Sequence, residues 1–225
     1  VTQIPGQGAI GVGLDLVVPY LGGSGVNTGN ASSYSFTNGG AGLDIGPAAD
    51  DRAILALFGW SGQGSPVNMT GITIGGVAAN LLTQINSADS GNVDFSIKGG
   101  ILSVPAGTSL NVGCTLAATV ARMGVQLIPL YGLRSLTPLD TDTQTAINPG
   151  PGSSTTQEGG ILIGASIHND GGDTWTGITQ QWDFVVENPH FRGGWSDPTG
   201  EPTTAFSLNM GAGATGRAAI WYSFR

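Results

Sequence analysis

The chain has 225 residues, of which 39 are Gly, 12 are Pro and only 10% are charged. That length can bury a core without a metal or disulfide, and the glycine follows no collagen-like period. A net charge of −8, with Lys98 as the single lysine, leaves no cluster of Lys and Arg to track a phosphate backbone, so no nucleic-acid partner is expected.

Residues 1–13 are Gly-rich, contain Pro5 and read as an N-terminal arm; residues 14–225 read as one β-domain. The opening Val1-Thr-Gln-Ile-Pro5 has neither an initiator Met nor a signal peptide, which fits removal of the Met or a mature fragment. Leu14–Tyr20 is the first expected strand, with Pro19 placing that end at a sheet edge. Ser33–Thr37 alternates polar and aromatic residues, as a strand with one wet face does. The connection 38–51 is expected to cross between sheets or wrap an edge. Three runs are almost entirely apolar: Arg52–Trp60, Gly160–His168 and Arg217–Arg225. Each is short and bounded by turn formers, so each reads as a strand buried on both faces in the middle of packed sheets.

Between these runs, Met69–Leu82 reads as a β-hairpin turning at Gly75-Gly76. Val93–Ile97 and Ile101–Val104 read as two strands separated by a glycine pair, and Leu110–Leu116 as another. Met123–Tyr131 follows, with Pro129 suggesting an edge or a bulge. Residues 137–158 are rich in Thr, Asp, Ser, Pro and Gly and read as a long exposed loop. Trp175–Val186 supplies one or two strands, Phe191–Thr203 reads as a loop, and Ala205–Met210 is the penultimate strand. Strands this short and this regularly interrupted indicate an all-β fold, mainly an antiparallel β-sandwich of jelly-roll type.

Few residues point to chemistry. Gly211-Ala-Gly-Ala-Thr-Gly216 fits G-x-G-x-x-G, but no helix follows to hold a pyrophosphate, so it reads as a hairpin turn. His168 and His190 are the only histidines and could join a serine and an aspartate, yet chance supplies such combinations as readily as catalysis does. The acidic turns Asp170/Asp173 and Asp140/Asp142 offer hard oxygen ligands for Ca²⁺, but they lack the EF-hand spacing, and Asp is an ordinary turn residue. Asp183 and Glu187, four apart, would share one face of a strand and could act as a glycosidase acid pair. Trp175, Trp182 and Trp195 could stack on sugar rings as an exposed platform; the same tryptophans serve equally as core. Cys114, the single cysteine, cannot form an intrachain disulfide and reads as a small buried hydrophobe. No segment approaches the roughly 20 apolar residues that a membrane-spanning helix needs. No cofactor and no metal are expected.

The order of features is similar to a family. Arg52-Ala-Ile-Leu-Ala-Leu57 is followed by Met69-Thr-Gly-Ile-Thr-Ile-Gly-Gly-Val-Ala-Ala79, Val104-Pro-Ala-Gly-Thr108, Leu130-Tyr-Gly-Leu133, Gly159-Gly-Ile-Leu-Ile163 and an aromatic last strand. From about residue 45 onward the chain resembles glycine-rich virion proteins of tailed bacteriophages and prophages, of the head-decoration, head-fibre or tail-associated kind. The resemblance implies a non-enzymatic component of the virion, a major capsid or tail protein as partner, and self-association. It assigns no functional residues. The alternative expectation is a carbohydrate-binding or adhesin module with a glycan as ligand.

Overall fold

The computed structural model describes residues 16–62, 64–87, 94–145, 152–169, 173–197, 203–209 and 216–225. The expected arm over 1–13, Asp170 and the turn 211–215 therefore lie outside the described residues. In the first half the strands are β1 (Val18–Pro19), β2 (Ser24–Asn27), β3 (Ala31–Phe36), β4 (Leu43–Asp44), β5 (Ala53–Ser61) and β6 (Met69–Ile74). They continue with β7 (Val77–Ala78), β8 (Asn80–Asn86), β9 (Phe95–Ser103), β10 (Ser109–Leu110), β11 (Val112–Val120) and β12 (Arg122–Tyr131). The second half holds β13 (Asp140–Gln144), β14 (Gly152–Thr155), β15 (Ile161–His168), β16 (Thr174–Thr176), β17 (Thr179–Val185), β18 (His190–Trp195), β19 (Thr203–Asn209) and β20 (Arg217–Phe224).

The all-β antiparallel sandwich read from the sequence is what the chain forms, but it has four layers where two were expected. The first half makes an inner sheet, β1-β12-β5-β9-β8 with β2 also on β12, and an outer sheet, β3-β11-β6-β7. The second half makes an inner sheet, β13-β20-β15-β18-β17, and an outer sheet, β14-β19-β16. Three apolar clusters separate the layers. On β5 the alternation sends Ile54, Ala56, Phe58 and Trp60 toward the first outer sheet, while Ala53, Leu55 and Leu57 face the second inner sheet. On β20, Ala218, Ile220, Tyr222 and Phe224 meet that same central cluster, while Ala219 and Trp221 face the second outer sheet. Period-2 geometry thus explains why β5, β15 and β20 are buried along their whole length: each lies in a sheet covered on both faces.

Glycine accounts for several departures from the sequence reading. The Gly75-Gly76 hairpin forms as expected, with both residues at positive φ (61° and 81°). The strand after it then leaves: β7 stays in the first outer sheet, and β8 joins the inner one. Gly99-Gly100, expected to divide two strands, lies instead inside the continuous β9. A Cβ on Gly99 would sit 3.3 Å from the Tyr222 ring, and one on Gly100 would sit 2.8 Å from Ile72, so the pair lets both neighbouring layers approach the backbone.

Three other expectations are corrected. The loop expected over 191–203 begins instead as a strand: β18 occupies His190–Trp195, paired on both sides by β15 and β17, while 198–202 lie outside the described residues. Residues 137–158 are not one loop either, since β13 and β14 lie within them. Their Asp, Thr and Ser content suits an edge: among the described residues β13 pairs only with β20, and β14 only with β19. Pro129 sits in β12, which has partners on both sides. Its carbonyl accepts from Tyr20 N–H at 2.9 Å, so its missing N–H points to the side where residues 20–23 interrupt the β1–β2 edge.

Candidate functional site

A group of ionisable and hydroxyl side chains lies on the outward face of the second inner sheet. Alternation along β15 turns Ile167 into the central core, and so puts Ser166 and His168 on the opposite face. The register then brings Arg192 of β18 opposite Ser166, Asp183 of β17 opposite Arg192, and both His190 and Arg217 opposite His168. Directly opposed residues on one face are within side-chain reach.

Asp173, which precedes β16, lies against this face. Its carboxylate is fully buried, with Oδ1 at 2.5 Å from His168 Nε2 and Oδ2 accepting from the Ser166 hydroxyl at 2.8 Å. Arg192 links this buried pair to a more exposed one: its Nη1 is 3.8 Å from Asp173 Oδ2, and its Nε is 2.9 Å from Asp183 Oδ1. His190 Nδ1 lies 2.9 Å from Asp183 Oδ1 and 2.9 Å from Arg192 Nη2, its role set by the tautomer. Burial raises the Asp183 pKa, but hydrogen bonds from Arg192 and His190 outweigh it and hold the carboxyl below its ordinary value.

The order of these groups differs from that of a catalytic triad. In a Ser-His-Asp triad the histidine stands between nucleophile and acid. Here Asp173 stands in the middle, binding Ser166 through one oxygen and His168 through the other. A carboxylate kept ionised, as Asp183 is, makes a poor general acid. Glu187 does not share its face. β17 ends at Val185, Glu187 turns at φ 69°, and its Oε2 pairs with Arg122 Nε of β12 at 3.1 Å. The candidate glycosidase pair is therefore two separate ion pairs.

The three candidate sugar-stacking tryptophans do not reach one face. Trp182 is 5% exposed in the central cluster, with its ring 6.5 Å from Phe191 and 6.4 Å from Trp195. Trp175 is on the other side of the second inner sheet, edge-on to Trp221 at 6.4 Å. Among the described residues no group of three or more His, Cys, Asp or Glu could hold a metal ion. Asp140 accepts from the Thr141 and Thr155 N–H groups, and Asp142 from that of Thr143, the backbone work usual for Asp. Cys114 is buried, which pushes its thiol up to about 12.

Sequence reasoning missed Arg52. Its side chain is fully buried and bonds only to carbonyls: Nε to Val104, Nη1 to Ile45, Gly46 and Pro47, and Nη2 to Ala106 and Gly107, at 2.6–3.2 Å. The adjacent Asp50-Asp51 suggests a carboxylate partner instead; carbonyl cages leave no mark in a sequence. A hollow of about 720 Å³ lies over the first outer sheet, where Ser33, Ser35, Thr73, Asn111 and Thr115 surround Gly71 and Gly113. It offers hydroxyls, one amide and backbone, together with apolar surface from Ile72, Ala78 and Leu110. No protein-family model, no curated protein and no solved structure matches the chain.

Proposed function

We propose that this chain is a non-enzymatic structural protein of a tailed-phage particle, exposed on the virion and bound to a capsid or tail protein. The observation that carries the reading is the use to which ionisable groups are put. Arg52 is enclosed by carbonyls, His168 and Arg192 share Asp173, and Asp183 is held by Arg192 and His190. Each of these groups fixes backbone or layers in place instead of facing a substrate. Four β-layers with three apolar interlayers suit a scaffold that must persist outside a cell, because most backbone groups are paired within sheets. The resemblance in strand order points the same way. The sugar-binding alternative loses its main support, since Trp182 is core and Trp175 and Trp195 lie on opposite faces of one sheet.

Sedimentation tests this proposal. In a density gradient of particles from the producing strain, the chain is expected to travel with the infectious band and to stay there after a high-salt wash. Recovery only at the top of the gradient contradicts it.

A further inference from the structure

Nine large apolar side chains are exposed among the described residues, and five of them, Leu16, Val18, Tyr20, Leu21 and Val26, fall between positions 16 and 26. Single exposed apolar residues are unremarkable, but a concentration along a sheet edge is a recognised binding feature. This stretch holds β1 and β2, which among the described residues pair only with β12 and form the margin of the first inner sheet. Alternation decides what faces out. Val17 turns into the central core with no exposure, while its neighbours Leu16 and Val18 are 44% and 52% exposed.

Exposed carboxylates flank the strip. Asp44 Oδ2 accepts from the Tyr20 hydroxyl at 3.1 Å. Asp51 Oδ2 accepts from Gly132 N–H at 2.8 Å, and Gly132 itself abuts the Leu16 carbonyl; Asp50 is next in sequence. Glu158 precedes Gly159, whose carbonyl takes the Val17 N–H at 2.8 Å. Two guanidiniums stand among these four acids. Arg134 borders one hollow with Asp50 and Asp51, and Arg225 donates to Gln157. The margin therefore stays acidic, in a chain whose net charge is −8 and whose Arg52, Arg192 and Arg217 are buried.

We propose that the β1–β2 margin is a docking surface for a basic partner protein, which covers Leu16, Val18 and Tyr20 with an apolar segment flanked by Lys or Arg. The flanking charge selects the occupant. A second copy of this chain would set carboxylates against carboxylates, whereas a Lys- or Arg-flanked segment would be attracted and kept in register. The proposal adds a contact surface to the virion reading, yet the two can fail separately.

A photo-crosslinking amino acid, p-benzoylphenylalanine, placed at position 18 of the full chain in the producing cells tests it, with position 77 as an exposed control outside the margin. The expected result is a covalent adduct from position 18 but not from 77, joined to a peptide of another protein that carries Lys or Arg beside apolar residues. Asp50→Lys in the same chain should lower the adduct yield several-fold. Adducts to a second copy, to residues 1–15 of the same chain or to an acidic peptide overturn the proposal, as does no adduct at all. If the basic partner is not a particle protein, the surface stands and the virion reading falls. If the chain is counted in particles yet position 18 gives no adduct, the reverse holds.

Discussion

The hydroxyl of Tyr222 donates to the carbonyl of Thr83 at 2.6 Å and accepts from the Gly99 N–H at 3.2 Å. One side chain of the last strand thus binds two strands of the first inner sheet, β8 and β9, across the central core. Burial pushes the phenol pKa well above its ordinary value. Tyr222→Phe keeps the ring and removes both bonds. We expect a loss of about 1–3 kcal/mol, seen as a lower denaturant midpoint with an unchanged slope. If the two halves unfolded in separate transitions in the unaltered protein, the layers would not be coupled as described.

Arg52 should be irreplaceable by lysine. Its planar fork reaches six carbonyls from residues 45–47 and 104–107, whereas an ammonium has three donors around one point. Arg52→Lys leaves buried acceptors without donors, at a cost of more than about 3 kcal/mol. Thermal unfolding measures this, and a variant within a degree or two of the parent would show that the cage carries little of the stability.

Gly59 marks a place where the two inner sheets nearly touch. A Cβ there would lie 2.7 Å from Phe191 Cδ2 on β18. Gly59→Ala is expected to destabilise by about 1–3 kcal/mol through overpacking. Adding Phe191→Leu should recover part of that loss, because the ring that obstructs the methyl is gone. A double-mutant cycle reads the coupling, and strict additivity would argue against direct contact.

The fold was legible where burial writes itself into the sequence. The runs 52–60, 160–168 and 217–225 became β5, β15 and β20, since a strand covered on both faces must be apolar throughout. The number of layers was not legible. The same apolar pattern serves two sheets or four, and the strand pairing decides between them. Mid-strand glycines misled: Gly99-Gly100 and Gly193-Gly194 look like turns but lie within β9 and β18. A Cβ at Gly193 would fall on the Trp182 ring, which is also why that tryptophan is core and not platform. His168 and Asp173 are close in sequence, so their contact was within reach of sequence reasoning, whereas Arg192 and Asp183 join it only through register.

Acid should weaken the outward network through Asp183. Its folded pKa is depressed, so its contribution is present above the unfolded carboxylate value, about 3.9, and is lost as pH falls through the folded one. Asp183→Asn should therefore lower stability near pH 6 and make no difference at strongly acidic pH. The side chain is 36% exposed, so the effect is small and shrinks with added salt. Equal differences at both pH values would assign the loss to packing instead.

The most direct test of the structural-virion account is quantitative mass spectrometry of purified particles, counting this chain against the major capsid protein. The account predicts a fixed, salt-resistant stoichiometry: near the capsid count for a decoration protein, or a few copies per particle for a fibre, vertex or tail component. Absence of the chain from purified particles, with the protein recovered free in the medium, would contradict it.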